Sequence, residues 1–241
     1  MTDEARSALI FGARNLGRAT IETLVGAGWN VAGVARSDET LAGVTAAGAL
    51  AIRADVTDTA SVTSALEEAA GANGPLGLVV NAASAYGGTR SGPFGGGPLA
   101  EAAPDAFDLW AAAPPRAAFT FLSATARHLV DRGRPATIVQ VTGGSSRRAM
   151  PGRGLWAAGA FGVRAITQAA ALELREKGIH VALLIVDAGI QPLTGKREGV
   201  DPATLADPHE IAHAVRFLAE QGARAATHEL QVTPLAERWV P

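Results

Sequence analysis

Short, continuous apolar runs recur along this chain of 241 residues, each a strand's length and each followed by a stretch of helical character. They are "SALIFG", "NVAGVAR", "ALAIRADV", "LGLVVNAA", "ATIVQVTG" and "IHVALLIVDA". Because the runs are mostly continuous rather than alternating, they suit strands buried on both faces. Between them lie Leu16 to Ala27, Asp38 to Ala47, Ser61 to Ala70, Asp105 to Arg132 and Trp156 to Lys177, with Gly28, Gly48, Gly133 and Gly178 placed to end helices. Such alternation implies parallel strands joined by right-handed helical crossovers, with ligands bound at the carboxyl ends of the strands. The expected fold is a single Rossmann-like α/β domain over residues 1–241, a doubly wound parallel sheet of six or seven strands. The last strand would come from "HELQVTPLAERWVP".

Composition narrows the function classes. With 48% hydrophobic and 18% charged residues and a net charge of -2, the chain lacks the basic excess of a nucleic-acid binder. It has no cysteine, which excludes disulfides, thiolate metal sites and cysteine nucleophiles. His209 and His213 are spaced i, i+4 but have no third ligand, so no metal site is expected. The acidic opening residues do not read as a secretory signal, and the longest apolar run, "VALLIV", is far below the ~20 residues of a membrane span. A cytoplasmic protein with a small-molecule ligand, and neither membrane nor nucleic acid as partner, is expected.

"ALIFGARNLGRA" places a glycine-bearing turn between the first strand and the first helix, where backbone N–H groups and the helix dipole receive a pyrophosphate. Gly12 and Gly17 are spaced like the first and third glycines of a G-x-G-x-x-G fingerprint, with Arg14 at the middle position. Arg36 ends the second run, where an acid would signal NAD; with Arg14 it suits an adenosine 2′-phosphate instead, and so NADP(H). The competing reading is a tight turn carrying two solvated arginines.

These and other landmarks resemble the short-chain dehydrogenase/reductase family over nearly the whole chain. "FGARNLGRA" stands for the family's T-G-x-x-x-G-x-G, "ADVTD" for its adenine-contacting D-V, "VNAAS" for its N-N-A-G, and "DPHEIAHAVRFLAE" for the helix after its substrate lid. Without a gap, the family's glycines fall on Phe11, Asn15 and Gly17; with one deletion Gly12 recovers the first. The resemblance implies a cofactor site of Gly12, Arg14, Asn15, Leu16, Gly17, Arg36, Asp55, Val56, Asn81, Ala82 and Ala83. It also implies a homodimer or homotetramer built on the helix from Trp156. Helix-cap or loop roles remain open for Asp55 and Asn81.

The family's chemistry is another matter. Its proton donor is a Tyr whose pKa is lowered by a Lys four residues on, with a Ser holding the substrate oxygen and an Asn completing a relay. The same resemblance puts Trp156 at the Tyr position, Ala160 at the Lys position, Gly143 at the Ser position and Pro114 at the Asn position. An indole N–H does not titrate usefully and a methyl does nothing electrostatic. The family's P-G turn after the sixth strand becomes Asp187-Ala188.

A replacement set would draw on Tyr86, the only tyrosine, with Ser145 and Asp187. Tyr86 falls in Ser84 to Pro104, a glycine-rich stretch open to two readings, a loop over the site or surface slack. Arg147 and Arg148 read as a solvated pair rather than an anion clamp. The sequence thus predicts a pseudoenzyme that binds NADP(H) or a small ligand. Two alternatives stand beside it: an oxidoreductase or non-redox enzyme with a rebuilt site, and a structural subunit paired with an active relative.

Overall fold

The computed structural model describes residues 6–84 and 92–237. Its elements in chain order are β1 (Ser7–Phe11), α1 (Leu16–Gly26), β2 (Asn30–Ala35), α2 (Asp38–Ala46), β3 (Leu50–Arg53), α3 (Thr59–Asn73) and β4 (Leu78–Asn81). Then come α4 (Ala113–Arg132), β5 (Ala136–Gly143), α5 (Gly154–Leu174), β6 (Ile179–Val186), β7 (Gly189–Ile190), β8 (Leu205–Ala206), α6 (Pro208–Ala219) and β9 (Glu229–Val232). The central sheet has seven strands in the order β3-β2-β1-β4-β5-β6-β9, all parallel, as the continuous apolar runs require.

Side chains leave each strand alternately toward two apolar layers. Leu9 and Phe11 of β1 join Val62 and Leu66 of α3 and Phe121 of α4 on one face. Ala8 and Ile10 join Leu24 of α1 and Ile211 and Val215 of α6 on the other. Strand order reverses between β1 and β4, and the crevice outside their carboxyl ends is the ligand position of such folds.

The expected helix from Asp105 to Arg132 is continuous from residue 106 on, but it changes hydrogen-bonding pattern along its length. A π-helical turn, Asp108–Ala112, precedes α4, and Pro114 and Pro115 lie in the first turn of α4. The prolines remove backbone donors inside this helical stretch, and the wider π-helical turn just before them is the local adjustment that accommodates the lost bonds. No helix of the described residues is long and apolar enough to cross a membrane.

Candidate functional site at the carboxyl edge of the sheet

The turn from β1 to α1 is built on two glycines. Gly12 has φ +84, and a Cβ added to it would fall inside contact distance of the Ala83 backbone N. A Cβ on Gly17 would strike the carbonyl of Gly12. Both positions therefore need glycine for close backbone packing. Phe11, the ungapped match to the family's first glycine, is a buried β1 residue with its ring 5.5 Å from that of Phe121. Gly12 is accordingly the first glycine of the turn, which is one residue shorter than the family's.

Asn15 occupies the N-cap position of α1, yet no side chain caps this helix. The first-turn N–H groups are left for an outside acceptor, the arrangement that binds anions. The Asn15 side chain reaches away instead. Its Nδ2 donates to the Gln191 carbonyl at 3.1 Å, and its Oδ1 accepts from the Leu193 N–H at 2.9 Å.

Beside this turn lies a second polar group. Arg36 follows β2 directly, mostly exposed, and its Nη1 stands 3.4 Å from Asp55 Oδ2. Asp55 Oδ1 accepts from the N–H and hydroxyl of Thr57 at 2.9 and 2.8 Å. Burial raises the pKa of Asp55, but the Thr57 hydrogen bonds and the Arg36 charge outweigh it, so the carboxyl titrates below its ordinary range. The N-cap of α3 is Asp58, not Asp55. Arg53, unmarked by sequence reasoning, donates to the Arg36 carbonyl and pairs with Asp38. The signal was available: Arg53 ends β3 as Arg36 follows β2, and Ala35 pairs with Arg53. Arg14 is exposed, and Val56 and Leu16 are buried.

Asn81, buried at the end of β4, donates to Gln140 Oε1 at 3.0 Å and accepts from the Ala83 N–H at 3.1 Å, which fixes the backbone of Ala82 and Ala83 against Gly12.

Around the start of α5 the character changes. A Cβ on Gly143 would lie 3.6 Å from Trp156 Cζ2, so the indole covers the end of β5. The Phe94 ring meets Trp156 at 4.7 Å and buried Trp110 at 4.9 Å, both edge-to-face. Arg153 lies 5.4 Å over Phe94 and 5.9 Å over Trp156. Ala160 is buried, and its neighbour Gly159 packs so closely on the π-helical turn that an added Cβ would meet the Trp110 carbonyl and, at 3.3 Å, Pro114. Gly143, Trp156, Ala160 and Pro114 are thus brought to one end of the fold without a titratable side chain among them.

Asp187 is nearly buried. Its Oδ2 accepts from Arg148 Nη1 in an ion pair and from Gln231 Nε2 at 3.2 Å, and its Oδ1 fills the space a side chain at Gly144 would need. Arg148 is therefore not a solvated residue; the carboxylate holds it. Ser145 is buried in a turn of 3-10 helix, Gly144–Ser146. Tyr86 lies outside the described residues. His209 pairs with Glu22 of α1 at 3.0 Å, and no cluster of three metal-ligating side chains occurs among the described residues.

Comparison with known proteins decides the family. The model of the family described as short chain dehydrogenase matches residues 6–191. The chain belongs to the short-chain dehydrogenase family. A sorbitol dehydrogenase from Cereibacter sphaeroides is 31% identical over 183 residues, 74% of this chain and 68% of that one. An L-xylulose reductase from Mesocricetus auratus is 30% identical over 179 residues, 73% of this chain and 68% of that one.

Among solved structures, a 3-ketoacyl-(acyl-carrier-protein) reductase from Brucella melitensis complexed with NADH has a TM-score of 0.79 at 25% identity, covering 96% of this chain and 98% of its own. An alcohol dehydrogenase from the archaeon Thermococcus sibiricus complexed with 5-hydroxy-NADP shares the fold of this chain, with a TM-score of 0.79 at 22% identity over 99% of this chain and 100% of its own.

Proposed function

We propose that this member of the short-chain dehydrogenase family binds NADP(H) and does not perform the family's Tyr–Lys proton-relay chemistry. For the first half, the uncapped start of α1, the close-packed Gly12 and Gly17, and Arg36 beside Asp55 fit a dinucleotide with a 2′-phosphate. In that fit Gly12, Arg14, Leu16, Gly17 and the backbone of Asn15 face the pyrophosphate. Arg36 takes the 2′-phosphate, Asp55 and Val56 flank the adenine, and Asn81, Ala82 and Ala83 support the nicotinamide end. Bound there, the cofactor would supply a hydride donor or acceptor.

The single observation that carries the second half is the indole of Trp156 lying over Gly143. At the place where the family moves a proton, this chain presents an indole that exchanges no proton near pH 7. The crevice then holds a small ligand rather than converting it.

One observation favours a second reading, an enzyme with a rebuilt site: Asp187, nearly buried, stands at the same edge. Its bonds to Arg148 and Gln231 commit it to structure in the first reading and would position it as an acid or base in the second. Titration with NADPH and NADH, followed by calorimetry and tryptophan fluorescence, tests both halves. Micromolar binding that prefers NADPH, without nicotinamide oxidation across a panel of carbonyl compounds, is the expected result. Turnover that disappears in Asp187→Asn would establish the rebuilt site instead.

We propose further that the protein is a cytoplasmic homodimer or homotetramer joined through α4 and α5. Phe119 and Phe161 stand exposed on these helices. Light scattering on Phe161→Glu, expected to shift the protein toward monomer, checks this.

A further inference from the structure

The chain between β7 and β8, residues 191–204, is an excursion tied down near its ends. Gln191 N–H donates to the Ala206 carbonyl at 2.9 Å, beside the β7–β8 pairing. Arg197 folds back so far that a Cβ on Gly189 would meet its guanidinium. A third tie comes from the opposite wall of the crevice, where the Asn15 amide donates to Gln191 and accepts from Leu193. These bonds join the turn after β1 to the chain that leaves β6, strands separated in the sheet by β4 and β5.

Two features make Asn15 more than a surface tie. Asparagine is among the best N-cap residues, but this one leaves its own helix uncapped and spends both polar atoms across the crevice. It also sits between Gly12 and Gly17, where dinucleotide folds keep the turn bare so that backbone and pyrophosphate approach closely.

We infer that Asn15 is a latch that holds residues 191–193 against the phosphate turn in competition with the dinucleotide, and so sets cofactor affinity and the freedom of 191–204 together. The inference rests on the NADP(H) reading. A dinucleotide entering the crevice must part Asn15 from Gln191 and Leu193, and binding carries that cost. Removing the latch therefore tightens binding while loosening the excursion.

The test uses the full chain, NADPH and trypsin. Trypsin cuts after Lys196 and Arg197, so the rate at which peptides ending there appear in mass spectra reports the freedom of the excursion without any cofactor. In Asn15→Ala these peptides should appear several-fold faster, and the Kd for NADPH should fall about tenfold, the effect of two net hydrogen bonds. Leu193→Pro removes one latch donor without touching the phosphate turn, and should move both readouts in the same direction. Unchanged cleavage in both variants would overturn the latch. Faster cleavage with unchanged or weaker NADPH affinity would overturn the competition and make Asn15 a cofactor contact. If neither the unmodified chain nor any variant binds NADPH, the cofactor reading itself fails, and the competition with it, whatever the cleavage rates.

Discussion

The two halves of the crevice solve different physical problems. On the side of β1, β2 and β3, the residues at the strand ends are small or hydrogen-bonded: Gly12 and Gly17 pack backbone on backbone, and Asp55 and Arg36 face each other in partly open surroundings. On the side of β5 and β6, the same edge is filled by Trp156, Phe94 and Trp110 and closed by the Arg148–Asp187 pair. The first half depends on what is missing, side chains at two glycines. The second depends on the side chains that fill it. The two halves of one crevice can thus differ in kind, backbone-lined on one side and filled by aromatic packing on the other, because strand ends in a doubly wound sheet are loops that vary independently of the core.

The largest effect that would sharpen this contrast is at Gly12. A valine there must adopt a left-handed backbone conformation and intrude on Ala83, so Gly12→Val should cost about 3 kcal/mol or more and abolish NADPH binding. Denaturant unfolding checks the stability and calorimetry the binding. A mild effect would break the comparison, since the turn would then tolerate bulk as the aromatic half does. Next comes Asp187→Ala, which leaves Arg148 without its carboxylate in a partly buried place. A loss of about 3 kcal/mol in the same unfolding experiment is expected.

Arg36→Ala should act on ligand rather than fold. Arg36 is mostly exposed, so stability should change little, while NADPH affinity falls about tenfold or more and NADH affinity stays nearly constant. Equal losses for both dinucleotides would mean that Arg36 does not meet a 2′-phosphate.

How much of this was legible in the sequence follows from the range of each interaction. Strand runs and helix ends are local, so a parallel sheet of six or seven strands was readable where the structure has seven, and Gly133 and Gly178 do adopt left-handed conformations at the ends of α4 and of the turn after α5. The expected helix from Asp105 to Arg132 does run on through Pro114 and Pro115, but the π-helical turn before them was hidden, because no local pattern marks it. The Asn15 latch spans 176 and 178 residues and ends on backbone atoms, whose identity no side chain advertises. Asp187 drew notice as a carboxylate in a P-G position, but its partners Arg148 and Gln231 lie 39 and 44 residues away, so its commitment to an ion pair was hidden.

The smallest effect concerns how the aromatic half is braced from outside. Arg164 of α5 forks onto Glu229 of β9 at 2.7 and 2.9 Å, and Gln168 adds a bond at 2.7 Å. Burial raises the pKa of Glu229, but Arg164, Gln168 and the charge of Arg147 outweigh it and hold the carboxyl below its ordinary 4.5. A carboxyl whose pKa is lower folded than unfolded contributes stability above the unfolded value and loses it as pH falls through the folded one. In thermal melts at neutral pH, Glu229→Gln should therefore unfold a few degrees lower than the unmodified chain, about 1 kcal/mol for a partly buried pair. Below pH 4.5 that gap should narrow, because the native glutamate is being protonated while the glutamine is indifferent. A gap constant down to pH 3 would mean that shape rather than charge joins α5 to the sheet edge.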